Sequence, residues 1–375
     1  MFTTAKGRVT GIIRETPVLQ EIWVQIADHS QPERAYNYPG LYHRVVVGEK
    51  VCLNTTAVNL GLGTGGRHFV IPDPQVEEDR SGPGHIMKLR YTPWQFSVLT
   101  AEEDTSPYHQ CLEESGGLDG TPVVATPLHS MIPGVILGFN HLWNERHPDK
   151  KPRIVYVMTD GAALPIALSD LVRDLKEKAL LDLTITAGHA FGGDLESVSI
   201  PSALITAKTV GKADLIIVAL GPGIVGTGTP LGFSGVESSW VIDLTVRLGG
   251  TALAVPRISQ ADPRLRHYGL SHHTRTVLQL ASNPAKLALS RLIPPDLQQH
   301  ILEQLRNSGL LNRDDWYWVN DLSAEELFTA YGIKVKTMGR DIHQDTAFFQ
   351  TSVAAGFLAA QAHDGDLPSL VKIMG

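Results

Sequence analysis

Five apolar runs in this chain each stop at a cluster of Gly, His, Asp, Ser or Thr, and that recurrence restricts the fold more than any other feature. Residues 122–126 precede Leu128-His129-Ser130, and 153–158 precede Thr159-Asp160-Gly161. Residues 183–186 precede Gly188-His189-Ala190-Phe191-Gly192-Gly193-Asp194-Leu195-Glu196. Residues 214–220 precede Gly221-Pro222-Gly223-Ile224-Val225-Gly226-Thr227-Gly228-Thr229, and 251–255 precede Pro256-Arg257-Ile258-Ser259. Short apolar runs alternating with helical patterns read as buried strands in βαβ units, hence a parallel sheet. Leu164, Leu168, Leu171, Val172 and Leu175, for example, recur at helical spacing between the second and third runs. Ligands of open parallel sheets bind outside the carboxyl ends of the strands. His129, Asp160, His189, Gly223 and Arg257 are therefore expected along one edge of one sheet.

The expected fold class is α/β: a small N-terminal β-barrel or sandwich, then a Rossmann-like, mostly parallel sheet with helices on both faces. Residues 1–75 read as the all-β domain, with strands at 8–14, 18–26, 44–47, 50–54 and 68–71 and a loop at 61–66. Residues 76–119 read as linker and extended arm, with the Pro/Gly-rich stretch 72–84 as its start, and 120–375 as the α/β domain with a helical C-terminal part. Ser234-Gly235-Val236-Glu237 and Ser323-Ala324-Glu325-Glu326 match capping boxes. Ser271 is placed to cap a helix. Pro294-Pro295 splits a helical stretch, and 332–338 is a candidate last strand. Residues 345–362 are apolar around much of a helical circumference, which predicts burial in the domain or in an interface, so a homo-oligomer is expected.

Charge and cysteine content exclude some classes. The net charge of −7, with no Lys/Arg block, argues against nucleic acid and anionic membranes as partners. No apolar stretch reaches the ~18 residues of a membrane span. Only Cys52 and Cys111 are present, which excludes a disulfide framework and suits the cytoplasm.

The clusters carry the chemistry. Gly221, Gly223 and Gly226 fit GxGxxG, where glycines allow close backbone approach and free amides for an anion, with Thr227, Gly228 and Thr229 adding donors. The helix is expected to begin only near Ser234, the strand is not the first of its domain, and Arg257 rather than an acid follows the next strand, so a dinucleotide site is the weaker reading. His189, Asp194 and Glu196 bring an imidazole and two carboxylates together, suited to a divalent metal (His189 and Asp194 as ligands) or to acid–base work. The alternative reading makes Asp194 a helix cap. His272 and His273, at a helix start, should stay neutral and serve as ligand or base. Adjacent positions lie about 100° apart on a helix, which argues against both pointing at one atom. Asp160 is a candidate catalytic carboxylate, His129 and Ser130 candidate substrate contacts, and Arg257 a clamp for an anionic group.

Met158-Thr159-Asp160-Gly161-Ala162-Ala163-Leu164-Pro165, the His189 cluster, Gly221 to Thr229 and Ser271-His272-His273-Thr274 together resemble a bacterial family known only as a domain of unknown function, number 3866. The resemblance extends to Leu53-Asn54-Thr55-Thr56-Ala57-Val58 and Gly63-Thr64-Gly65-Gly66. It implies a bacterial origin and no reaction. Bottom-up, the residues point to a hydrolase or group transferase acting on a small anionic molecule. The alternatives are a nucleotide-binding enzyme or sensor, and a non-catalytic scaffold.

Overall fold

The computed structural model describes residues 2–62, 65–71, 82–161 and 164–374. Most of the expected linker, Gly63-Thr64 of the expected loop, and Ala162-Ala163 lie outside the described residues. The chain divides into two compact units, Met1–Pro83 and Gly84–Gly375.

The first unit is a closed barrel of β1 (Thr4–Glu15), β2 (Gln20–Ile26), β3 (Glu33–Asn37), β4 (Lys50–Asn54) and β5 (Arg67–Ile71), in the order β1-β2-β3-β5-β4. Closure, rather than a sandwich, follows from β1. Its first residues pair with β4 and the rest with β2, and register shifts after Val9 and Ile12 bend it between them. Val9, Ile22, Val24, Ala35, Leu53 and Val70 fill the interior. The strand expected at 44–47 does not form. Gln20 replaces a ladder partner there: its side-chain amide donates to the Val45 carbonyl and accepts from the Val45 amide at 3.1 and 3.0 Å. The short helix α1 (Thr56–Asn59) leads towards β5.

The second unit opens with the hairpin β6 (Ile86–Lys88) and β7 (Phe96–Val98) and a short helix, α2 (His109–Glu113). Strands and helices then alternate: β8 (Pro122–Thr126), α3 (Ile132–Arg146), β9 (Ile154–Thr159), α4 (Asp170–Glu177), β10 (Leu183–Ala187) and β11 (Leu195–Ser197). Next come α5 (Ile200–Thr209), β12 (Leu215–Leu220), α6 (Ser238–Arg247), β13 (Thr251–Ala254), the two-residue pair β14 (Ile258–Ser259) and β15 (Gly269–Leu270), and α7 (His272–Leu280). The chain closes with β16 (Lys286–Ser290), α8 (Pro295–Asn307), α9 (Leu310–Arg313), β17 (Asp315–Val319), α10 (Ala324–Ala330), α11 (Thr346–His363) and β18 (Val371–Lys372). Nine strands form one sheet, β11-β10-β9-β12-β8-β13-β16-β17-β18, parallel except for β18.

Both faces of the sheet are covered, so its strands are apolar throughout and alternate residues enter two separate cores. In β9, Ile154, Tyr156 and Met158 pack with α3, α4, α10 and α11. Val155 and Val157 pack on the other face with α5, α6, α7 and α8. The α11 helix is apolar all round because it is buried within its own unit, crossing α3 closely. The C-terminal third is less helical than its sequence suggests, since it carries β16 and β17. Pro294 and Pro295 start α8 instead of dividing a helix, Pro295 standing at its first turn where a missing N–H costs nothing. Residues 332–338 form no strand.

Candidate functional site

The parallel register places the five strand-end clusters on one edge of the sheet. One point on that edge is distinct. The neighbours β12 and β8 lead into helices on opposite faces, α6 into one core and α3 into the other. Diverging connections of this kind leave a crevice between the strand ends, the topological switch point. A cleft of about 270 Å³ lies there, lined by residues 127–130, 220–224 and 335–338 with Leu171. His129, Ser130, Gly221 and Gly223 thus share one wall system. Across from them stands Lys336, exposed and without an ion-pair partner among the described residues. A side chain on Gly221 would begin 3.1 Å from Met158 Sδ and 3.2 Å from Leu164 Cδ1, so these neighbours would have to give way. Gly223, at φ +100°, turns the chain outward, and among the described residues the amides of Gly223 and Ile224 make no hydrogen bond.

Beyond Gly223 the loop folds into a hairpin rather than a helix. Gly226 bridges Phe233, and Thr227 N donates to Gly232 O at 2.8 Å. The hydroxyls of Thr227 and Thr229 bond each other at 2.9 Å and bond Gly232, so both are committed within the hairpin and are not free donors. This is not the strand–turn–helix of a dinucleotide fingerprint.

The expected capping box at Ser234 is replaced by something more useful. Ser234 Oγ accepts from Val225 N at 3.1 Å, which ties down the hairpin. Glu237 turns inward and accepts a hydrogen bond from Thr159 Oγ1 at the end of β9. Burial pushes the Glu237 carboxyl up to about 7; the Thr159 bond opposes this and the neighbouring Asp160 charge adds to it. Asp160 is exposed and accepts from His189 N at 3.3 Å. It is seated against Gly188, where any side chain would collide with Asp160 Oδ2 at 2.3 Å. A buried carboxyl that titrates near neutrality beside an exposed carboxylate is an acid–base pair in form. Its folded pKa lies above its unfolded value of 4.5, so Glu237 contributes stability at low pH that is lost as pH rises through 7. In Glu237→Gln the fall in urea stability between about pH 5 and about pH 8 should shrink by on the order of 2–3 kcal/mol. Identical pH profiles for the two proteins would remove Glu237 from the argument.

The His189 cluster has a different character. Asp194 bonds the amide and hydroxyl of Thr184, both at 2.8 Å, and pairs with Lys176. Despite partial burial these partners hold its carboxyl below the usual range. It caps no helix: it staples β11 to the start of β10. Glu196 is buried and bonds Thr186 Oγ1 at 2.7 Å, Gly192 N at 2.6 Å and Lys88 Nζ at 3.0 Å. His189 Nδ1 accepts from Leu89 N at 3.1 Å. Each group serves to hold the 188–193 loop. Lys88, which sequence reasoning missed, is wholly buried and also donates to the carbonyls of Gly188 and Ala190 at 2.7 and 2.9 Å.

His129 is positioned by a relay. Tyr156 donates to the Leu220 carbonyl, 3.1 Å away, so its oxygen accepts from His129 Nδ1 at 3.2 Å. His129 Nε2 then accepts from Ser169 Oγ at 2.7 Å, and Ser169 caps α4 through Val172 N. Burial takes the imidazole down to about 4, partly offset by a backbone hydrogen bond at Leu220. It is neutral at physiological pH.

Beyond β13 the edge becomes strongly basic. Arg257 is buried, with Nη2 3.2 Å from Asp262 and Nη1 3.5 Å from His273 Nδ1. Desolvation lowers Arg257 to about 10, opposed by Asp262 and reinforced by Arg264 and Arg340. Ser271 caps α7, and His272 and His273 follow. Contrary to the helical-wheel expectation, their rings approach to 4.3 Å, and His267 joins them at 4.8 and 4.9 Å. The wheel fails because these residues stand at the very start of the helix and the third ring arrives from the preceding turn. The spacing His267–His272–His273 was the available signal. His273 stacks on Phe233 at 3.8 Å, and burial with the surrounding arginines takes both His267 and His273 to about 3.

Fold and site define an α/β protein with an N-terminal barrel and a crevice at the carboxyl edge of a large, mostly parallel sheet. The chain belongs to the family described as Protein of unknown function (DUF3866), whose model matches residues 34–356. Comparison with curated proteins finds no match. Among the described residues no helix is long and apolar enough to cross a membrane.

Proposed function

We propose that the chain is an enzyme that binds a small anionic metabolite in the β12–β8 crevice and acts on it by hydrolysis or group transfer. The observation that carries this reading is the crevice between diverging strand ends of a large, mostly parallel sheet flanked by helices. Among its described lining residues Lys336 is the one fixed charge, and the Gly223 and Ile224 amides add donors. A cavity of about 270 Å³ suits a small metabolite better than a dinucleotide. Leu220 Cδ2, in the crevice wall, and Glu237 Oε2 lie 2.1 and 3.4 Å from where a side chain on Gly161 would begin; in this reading Glu237 and the adjacent Asp160 exchange protons with the bound molecule. His129, neutral and fixed by Tyr156 and Ser169, would orient it.

A thermal-shift panel of phosphorylated and carboxylated metabolites tests the reading. At least one should stabilise the wild type. Lys336→Ala should weaken that compound about tenfold or more, as loss of a charge-assisted contact does. Glu237→Gln should retain binding and lower turnover by roughly a hundredfold or more. A panel without any response, or equal affinity in Lys336→Ala, rejects the proposal.

A further inference from the structure

The basic end of the edge carries a second site. His267, His272 and His273 place their candidate ligating atoms within 4.8 Å of one another, which meets one requirement of a three-histidine metal centre. Two observations reverse the sign of the ligand.

The first is charge. Asp262 is divided among Arg257, Arg264 and Arg340, at 3.2, 2.8 and 3.5 Å, and Arg340 also reaches Asp345 at 3.1 Å. Arg266 and Arg275 have no carboxylate partner among the described residues, and Arg275 Nε is buried without a hydrogen bond. Cations therefore outnumber anions around the rings, and the field that repels a proton from them also repels a metal ion. The second is proton placement. Arg257 can only donate, so His273 Nδ1 accepts and the ring proton sits on Nε2. Nε2 is then a donor and not a ligand atom. It faces Gly226, 4.0 Å from where a side chain there would begin. Ser271 Oγ accepts the His273 amide at 3.2 Å and lies 2.7 Å from His267 Nδ1, which ties the third ring to the start of α7. His272 Nε2 is buried and meets no hydrogen-bond partner. Glycines keep the opposite wall low: the Arg266 guanidinium lies 3.8 Å from the side-chain position of Gly228, where φ is +83°.

We infer that this cluster binds an oxyanion, a phosphate ion or the phosphate group of a metabolite, between Arg266, Gly226 and Gly228, and the Nε2 atoms of His272 and His273. The site is separate from the crevice held by Lys336, and the experiment keeps the two apart. The full chain in phosphate-free buffer is titrated calorimetrically with inorganic phosphate, with glycerol 1-phosphate, and with Zn²⁺. Phosphate should bind and raise the melting temperature. Arg266→Ala and His272→Ala, both changes at side chains not fully buried, should each weaken phosphate about tenfold or more, whereas Lys336→Ala should not. Binding of glycerol 1-phosphate as well would mark a site open to a larger molecule; phosphate alone, one closed around the ion. Three outcomes overturn the inference: no phosphate binding, phosphate affinity lost in Lys336→Ala but kept in Arg266→Ala, or stoichiometric Zn²⁺ binding that His272→Ala abolishes.

Discussion

Replacing Gly356 with valine should leave the large unit unable to fold. The α3 and α11 helices cross with Gly134, Gly138 and Gly356 at their contact. A Cβ on Gly356 would stand 2.2 Å from Val135 O and 2.6 Å from Phe139 N, and one on Gly138 would stand 2.2 Å from Val353 O. These are backbone atoms of buried helices, so no rotamer change relieves the collision. The helices must separate, and α11 touches strands across the sheet. Overpacking of a yielding core costs about 1–3 kcal/mol. Here the obstacle is main chain, and a loss above about 5 kcal/mol would match the whole stability of many domains. Gly365→Ala is the control: φ is +72° but the surrounding space is open, so only about 1 kcal/mol is at stake. Urea melts followed by circular dichroism should show a normal transition for the control and no native baseline for Gly356→Val. A valine variant that melts like the wild type would mean that the helices do not cross as described.

Much of this architecture was legible because buried parallel strands have few ways to be written. Five apolar runs with polar ends marked the central strands, and a shared direction was enough to bring their ends to one edge. Closure of the N-terminal barrel was left open, since it depends on where β1 bends and on Gln20 standing in for a strand. The residues 286–290 and 315–319 escaped notice as strands. Lys286 and Asp315 begin them, and long helical patterns on either side dominate the window.

The site was legible as a place and not as a set of partners. Which strand-end clusters touch depends on strand order, and a sequence does not state that β12 inserts between β9 and β8. Glu237 therefore read as half of a local capping box, although its partner Thr159 lies 78 residues away. Lys336 belonged to an expected strand. Asp194 and Glu196 looked alike as carboxylates two residues apart. Asp194, just before β11, bonds Thr184 and Lys176, whereas Glu196, within β11, meets the buried Lys88.

That buried pair gives the second large effect, and Lys88→Met should destabilise the protein by about 3–5 kcal/mol. Lys88 is fully enclosed and Glu196 nearly so. The three donors of the ammonium are matched by Gly188 O, Ala190 O and Glu196 Oε2. Methionine fills much the same volume but leaves two carbonyls and a carboxylate without their donor. Burial already raises the Glu196 carboxyl, opposed by Lys88, Thr186 and Gly192. Without Lys88 that carboxyl should rise further and hold its proton to higher pH. The folded state would then bind a proton that the unfolded chain releases, so the variant should lose stability as pH increases, more steeply than the wild type. Lys88→Met with Glu196→Gln removes the stranded charge and should recover a good part of the loss. Because Lys88 also holds the loop that carries His189, whose amide in turn bonds Asp160, the single variant should disturb the crevice from outside it. Its affinity for any ligand found there should fall, and the double variant should restore it only where the loop is held again. A single variant as stable as the wild type, with the same pH slope, would show that Lys88 does not hold the 188–193 loop.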